Sequence, residues 1–394
     1  MSRTVPAVRT MRATAFFVVA LLFSGCDRPS EEPAVPQWRL EPELRVPLGA
    51  GADVWDIELR PDTVIYTLHP NESLIRAISH QGKTVRTIGG RGGAPGQFTA
   101  PTAFGWHRDT LWVFDAVQKR LTRFLGSGAV IDTRAVLQQP AVVPRRTEML
   151  FETALPNGTV LAQTFPTSDQ PGDTVVVRSL LRLSAEGALL DTVAVFRERN
   201  RWLRVRNGET PRLSALQPFA PIAHIAYSAV DGMIVLATPG QSDDGEPVYH
   251  LTKVNQVGDT LFSKALPFDL ERLRRARVSS ELARVVREQQ NFWQGARPEP
   301  RQQERLIRDA LFVPRYLPTV TGLVIATDGT ILVRRAEPGP EVRWSVYNRK
   351  GDHVADQRGP AALKALAAGG PFVYGVEPDE NGVTGLVRYR VRSK

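Results

Sequence analysis

Along most of this chain hydrophobic and polar positions alternate with a period of two, in short runs bounded by Gly, Asp, Asn and Pro. That period puts successive side chains on opposite faces, so each run predicts a β-strand with one face buried. The runs recur as a unit: a strand of small residues, a polar turn, an apolar strand, a polar gap, a third strand, a Gly turn and a fourth strand. Asp53–Gly89 reads VWDIEL, TVIYTL, SLIRAIS and TVRTIG. The same order returns over Pro101–Val136, Met149–Phe196, Ile222–Phe268 and Thr319–Arg358. A further copy is short, with ALKALAAG, GPFVYGVEP and TGLVRYRVRSK supplying three strands.

Repeats of this kind bury their faces by stacking on their neighbours. The spare run Trp38–Leu48, WRLEPELRVPL, is the natural fourth strand of the short copy, because it pairs an edge that an open ring leaves exposed. The expected fold is all-β, a six-bladed β-propeller over residues 38–394 closed by its N-terminal strand. A β-sandwich with extra strands is the competing architecture. Between the fourth and fifth copies, over residues 269–318, the period becomes helical. Asp269 is a candidate N-cap with Leu270 and Leu273 one turn apart. Ser279 or Ser280 restarts a helix carrying Leu282, Val285, Val286 and Gln289, and Arg301–Leu311 continues after Pro298 and Pro300. This helical insertion between blades 4 and 5 joins a fourth strand to a first strand, on the face where propellers usually bind ligands. It is expected to be a lid or partner-docking element, with Phe292, Trp293, Arg315 and Tyr316 near its ends. A cap that only covers an apolar patch is the alternative.

The N-terminus breaks the pattern differently. Arg3, Arg9 and Arg12 precede an apolar run from Ala13 to Phe23, interrupted only by Thr14 and too short to span a bilayer. It reads as the hydrophobic region of a signal peptide over residues 1–25. The run ends Leu22-Phe23-Ser24-Gly25-Cys26, which resembles the bacterial lipobox, with Phe23 in place of the usual Leu. The resemblance implies cleavage before Cys26, diacylation of its sulfur and anchoring in a bacterial membrane, on the periplasmic or extracellular face. A plain secretory signal is the competing reading. Residues 26–37, with three prolines and three acids, read as a tether.

Composition narrows the chemistry. Cys26 is the single cysteine, which excludes an internal disulfide framework, a Cys-rich zinc site and a CxxC redox motif. The net charge is +9, and +6 without residues 1–25. Acids and arginines are mixed along the chain with no run of one sign, so no nucleic-acid partner is expected. The insertion holds more arginines than acids, a mild attraction for anionic partners.

The second copy carries a family resemblance. Gly89-Gly90-Arg91-Gly92-Gly93-Ala94-Pro95-Gly96-Gln97-Phe98, then Pro101, then LWVFDAVQKRLTRF resembles an NHL repeat, and the chain is similar to bacterial six-bladed propeller lipoproteins. Asp115 and Arg120 match the family's pattern, while Gln118 stands where it has Asn. Asp115 is expected to accept hydrogen bonds across the turn and to pair with Arg120. The glycine run lacks GxxxxGK[ST] and leads into Pro101 and a strand, so it reads as a connecting turn rather than a phosphate loop.

Innermost propeller strands converge on an axis, and polar residues on them line a channel. Asp56, Thr102, Glu152, His224 and Thr321 are the candidates there. Asp56 and Glu152 are oxygen ligands suited to calcium, and calcium-dependent lactonases on six-bladed propellers, which the fold resembles, use acid and amide ligands at that place. Only His224 is placed for an inner-strand zinc site; His69, His80 and His353 read as solvated turn residues. Neither GxSxG nor HExxH occurs. The expected function is a lipid-anchored envelope module that binds a protein or small ligand on its lidded face, through residues among Asp56, Glu152, His224, Trp293, Arg315 and Tyr316. A metal-dependent hydrolase or lactonase at the channel mouth is the alternative.

Overall fold

The computed structural model describes residues 35–48, 53–60, 64–136, 147–166, 175–207, 210–228, 231–242, 244–266, 268, 270–289, 293, 297–337 and 339–393. Cys26, Asp269 and Phe292 lie outside the described residues. Strand β1 (Gln37–Pro47) comes first. A four-stranded sheet follows, β2 (Asp56–Leu59), β3 (Ile65–His69), β4 (Leu74–Ile78) and β5 (Thr84–Gly89), and then a second, β6 (Pro101–His107), β7 (Thr110–Asp115), β8 (Arg120–Leu125) and β9 (Val130–Ala135). The third is β10 (Thr147–Ala154), β11 (Val160–Pro166), β12 (Val175–Leu183) and β13 (Leu189–Arg199). A hairpin, β14 (Trp202–Asn207) and β15 (Thr210–Leu216), precedes the fourth, β16 (His224–Tyr227), β17 (Ile234–Gln241), β18 (Pro247–Val254) and β19 (Thr260–Leu266). Helices α1 (Arg275–Glu288) and α2 (Pro300–Ala310) come next. The chain ends with β20 (Val320–Ile325), β21 (Ile331–Arg335), β22 (Glu341–Tyr347), β23 (His353–Pro360), β24 (Lys364–Gly369), β25 (Phe372–Pro378) and β26 (Thr384–Ser393).

The architecture is all-β and propeller-like, with two α-helices among the described residues. Each four-stranded sheet pairs its strands antiparallel in chain order, as the repeated unit requires. The last seven strands and β1 make one eight-stranded sheet, ordered β20-β21-β22-β23-β1-β26-β25-β24. There β1 runs antiparallel to β26, from Trp38↔Ser393 to Pro47↔Gly385. It also pairs parallel with β23 at Gln37↔Asp356, Trp38↔Gln357 and Arg39↔Arg358. The core lies between neighbouring sheets, where the alternating apolar faces meet. Tyr66, Leu68, Ile75, Phe98, Phe104 and Trp106 fill the space between the first and second sheets. Trp112, Phe114, Phe151 and Leu181 fill the next, with Phe114 and Phe151 stacked at 4.2 Å.

Several sequence expectations are corrected. Residues 270–273 are not helical: Arg272 bridges Tyr316, and the Leu273 and Leu317 amides donate to the Arg315 and Glu271 carbonyls, so the insertion is clasped at its base as an extended pair. Helix α1 begins at Arg275 without a side-chain cap, upstream of either serine. His69 is no solvated turn residue. It is fully buried in β3 with Nε2 2.8 Å from Thr67 Oγ1, and burial, aided by Arg76, lowers its pKa to about 4.

Arg120 does not pair with Asp115. Its guanidinium donates to the carbonyls of Gly93, Ala94 and Gln97, holding the glycine-rich loop from below. Asp115 is fully buried and accepts from the amides of Thr99 (2.6 Å), Ala100, Val117 and Gln118 (2.9 Å). Gln118 Nε2 donates to the Gly92 carbonyl and to Thr99 Oγ1. Loop and turn are thus stitched together by side chains where no ladder reaches, which satisfies backbone groups that would otherwise be stranded.

The hairpin β14–β15 was not legible in the repeats. Together with α1 and α2 it forms a satellite with its own core of Leu203, Val205, Leu213, Leu282, Val285 and Ile307. Two different sheet-to-sheet connections therefore build one unit. Gln217 locks it: its Nε2 donates to the Ala310 carbonyl and its Oε1 accepts from the Phe312 amide, both at 2.9 Å.

Candidate functional site in the central channel

The innermost strands β2, β6, β10, β16, β20 and β24 surround one cavity of about 1010 Å³. Small side chains on these strands keep it open, among them Ala103, Ala226 and Ala367, joined by Ala326 just past β20. Its polar groups are Asp56, Glu58, Thr102, Lys119, Thr147, Glu148, Glu152, Thr153, Tyr227, Ser228 and Thr327.

Asp56 opens β2, and Glu58 follows two positions later on the same face while Ile57 turns into the core. Crowding by the surrounding strands raises Asp56 to about 7, opposed by the hydrogen bond from the Ile57 amide (2.9 Å) and by Lys364. Glu58 is raised well above its ordinary value by burial and then by the Asp56 charge. Two carboxyls one strand-period apart in the channel resist ionising together, which adds to the effect of burial in raising both.

Glu152 stands on β10 beside a register shift between Phe151 and Thr153. The Tyr227 hydroxyl, from the end of β16, donates to its Oε2 at 3.3 Å. Burial raises Glu152 to about 7 against the pull of Arg178, Tyr227, Arg201 and Gln163. Tyr227 is raised well above its ordinary value by burial and by the carboxylate beside it. Behind this pair lies a buried ion pair. Arg178 Nη1 meets Glu198 Oε1 at 2.6 Å, Arg201 reaches the same oxygen at 3.2 Å, and Glu198 Oε2 accepts the Ala223 amide at 2.6 Å.

The structure separates the sequence candidates. Of those described, Asp56 and Glu152 line the channel, but β6 lies between their strands and each has its own partner. His224 opens β16 outside the lining, half-buried against the Val320 backbone, and burial lowers its pKa to about 4. Trp293 packs into the satellite core. Arg315 lies 5.0 Å over the Tyr316 ring within the clasp at the satellite's base. No described residue of the insertion lines the channel. Among the described residues, no group of three His, Cys, Asp or Glu converges as a metal centre requires. Glu58 was discoverable from its spacing to Asp56. Tyr227 was not, since a contact between β10 and β16 leaves no local sign.

Set against known proteins, the sequence matches no family model, and no curated protein matches it. Solved structures do resemble it in fold. A member of the DUF4221 family from Bacteroides vulgatus is 10% identical, covers 91% of this chain and 99% of its own, and has a TM-score of 0.50. A candidate exported protein from Bacteroides fragilis is 11% identical over 90% of this chain and 95% of its own, with a TM-score of 0.46. The calcium-binding regucalcin from Agrobacterium tumefaciens is 12% identical over 90% and 96%, with a TM-score of 0.40. At such identities the likeness concerns the fold alone.

Proposed function

We propose that this chain is an exported, lipid-anchored six-bladed propeller that binds a small polar ligand in its central channel. The six blades follow from reading the eight-stranded sheet as two blades that meet where β1 touches β23, with β1 closing the ring. The glycine-rich loop and Asp115 make the second blade NHL-like. Anchoring through Cys26 rests on the lipobox, and an envelope location agrees with the export assigned to one structural neighbour. The observation that carries the binding reading is the channel itself: a large cavity lined by apolar and hydrogen-bonding groups in comparable measure. Glu152 with Tyr227, and Asp56 with Glu58, are the groups that would orient the ligand. Because their carboxyls stay partly protonated near neutrality, they donate as well as accept.

The second reading is a hydrolase using the same carboxyls as general acid and base, favoured by their raised pKa values. One experiment separates the two. Channel-lining Trp55 reports occupancy by its fluorescence as the full chain is titrated with a panel of monosaccharides, glucono-δ-lactone and calcium chloride. Saturable quenching without turnover, lost in Glu152→Gln, supports binding. Lactone hydrolysis that is lost in Asp56→Asn moves the hydrolase ahead, and its dependence on calcium then separates metal ligation from acid–base use of that carboxyl. A wild-type protein that responds to no probe at millimolar concentration overturns the channel as a small-ligand site. Anchoring is tested apart from this: incorporation of an alkynyl fatty acid, absent in Cys26→Ser, supports it, and equal labelling of both sinks it.

A further inference from the structure

A second cavity, of about 180 Å³, lies between the second and third sheets, away from the channel. Its walls are His107, Thr110, Trp112, Leu121, Arg123 and Arg134 from the second sheet, and Ala154, Pro156 and Gly158 from the third. The strand registers bring the polar members together. Trp112 sits opposite Arg123 across β7–β8, Arg123 opposite Asp132 and Leu121 opposite Arg134 across β8–β9, and His107 opposite Thr110 across β6–β7. All these side chains therefore share the face turned toward the third sheet. Gly105 makes room for it: a Cβ there would fall 2.6 Å from the Trp112 ring.

Arg123, Arg134, Trp112 and Thr110 bring proton donors to this cavity, and no carboxylate lines it. His107 Nε2 donates to the Ala154 carbonyl at 2.8 Å, which fixes that nitrogen as the protonated one. Arg123 engages Asp132 through Nε (2.8 Å) and Nη2, leaving Nη1 with no acceptor among the described residues. Arg134 forms no ion pair among the described residues, and its buried Nε meets no acceptor there. The indole Nε1 of Trp112, a residue 3% exposed, is likewise unmatched. Two carboxyls feel Arg134, and both are bonded elsewhere: Asp132 to Arg123, and the exposed Glu186 to Ser184 Oγ. The two arginines also act on His107: burial lowers its pKa first, and their positive field lowers it further. The Arg134 guanidinium and the edge of Arg123 that Asp132 leaves unengaged are together complementary to a compact anion.

We propose that this pocket binds a small oxyanion (a phosphate, sulfate or carboxylate group) between Arg134 and the free side of Arg123, with Thr110 and His107 at its edge. The site is independent of the central channel and of the reading proposed for it. The test is a titration of the full chain with inorganic phosphate, sulfate and acetate. The His107 imidazole resonances report binding, and sodium chloride at matched ionic strength removes plain screening. The expected result is saturable movement of the His107 signals beyond the chloride control. It should be at least about tenfold weaker in Arg134→Ala, weakened less in Arg134→Lys, and unchanged in Arg305→Ala on α2. A response to phosphate and sulfate alone assigns a tetrahedral anion, and a response to acetate a carboxylate. The proposal is overturned if the signals move no further than in chloride, or if Arg134→Ala binds as tightly as the wild type.

Discussion

Glu198 shows how single residues in this protein tie distant parts together. Its carboxylate, on a residue 3% exposed, joins Arg178, Arg201 and the Ala223 amide, so that β12, the end of β13 and the approach to β16 meet at one group. Removing it leaves Arg178 buried and uncompensated, since Arg178 is only 1% exposed. Glu198→Ala is therefore expected to destabilise the fold by about 3–5 kcal/mol, read as a fall in the urea midpoint. Glu152 acts in the opposite sense. Its folded pKa, about 7, lies above the ordinary 4.5, so the folded protein holds a proton that the unfolded chain has released. Stability from this group is full below pH 4.5 and declines as pH rises toward 7. Glu152→Gln should flatten that decline, measured as unfolding midpoints across the window; an unchanged slope would show that Glu152 ionises freely. None of these partners was visible in the sequence. Asp56 and Glu152 stood out as acids on small-residue strands, but Tyr227, Arg178 and Glu198 reach the site from strands far off in the chain.

Among the elements, the satellite is where sequence and structure part most. Leu282, Val285, Leu306 and Ile307 recur at helical spacing, and α1 and α2 do carry them on one buried stripe. What the spacing could not convey is what that stripe packs on. The hairpin β14–β15 alternates Leu203 and Val205 inward with exposed Trp202, which reads locally as any other strand pair. Its partner is decided by where two separate connections leave their sheets. Gln217 is the joint between them. Gln217→Ala removes one donor and one acceptor at a buried position and is expected to loosen the satellite locally by about 1–3 kcal/mol. The check is hydrogen exchange: the Phe312 amide should exchange faster by one to two orders of magnitude, while amides of β11 keep their protection. Equal acceleration in both would mean that the satellite does not open on its own.

For the whole molecule, the decisive pairing joins the two ends of the described chain. Strand β1 covers β26 on one side and touches β23 on the other, and Leu40 packs with Trp344, Val373 and Val387 beneath it. A chain lacking residues 35–48 would present the unpaired edges of β23 and β26 to solvent. It is expected to melt lower and to aggregate, seen as light scattering at the melting transition, because exposed edges template pairing between molecules. A truncated chain that stays monodisperse with an unchanged midpoint would show that β1 is dispensable. The four-strand repeat, the strands that belong to it and the pairing of the first strand with the last could be read from the sequence. Period-two alternation and turn residues are local, and one spare strand at one end matches one missing strand at the other. The channel partners, the satellite and the donor-lined pocket could not be read that way. Each depends on side chains from different sheets meeting at distances that only packing sets, and no local pattern records which faces will touch.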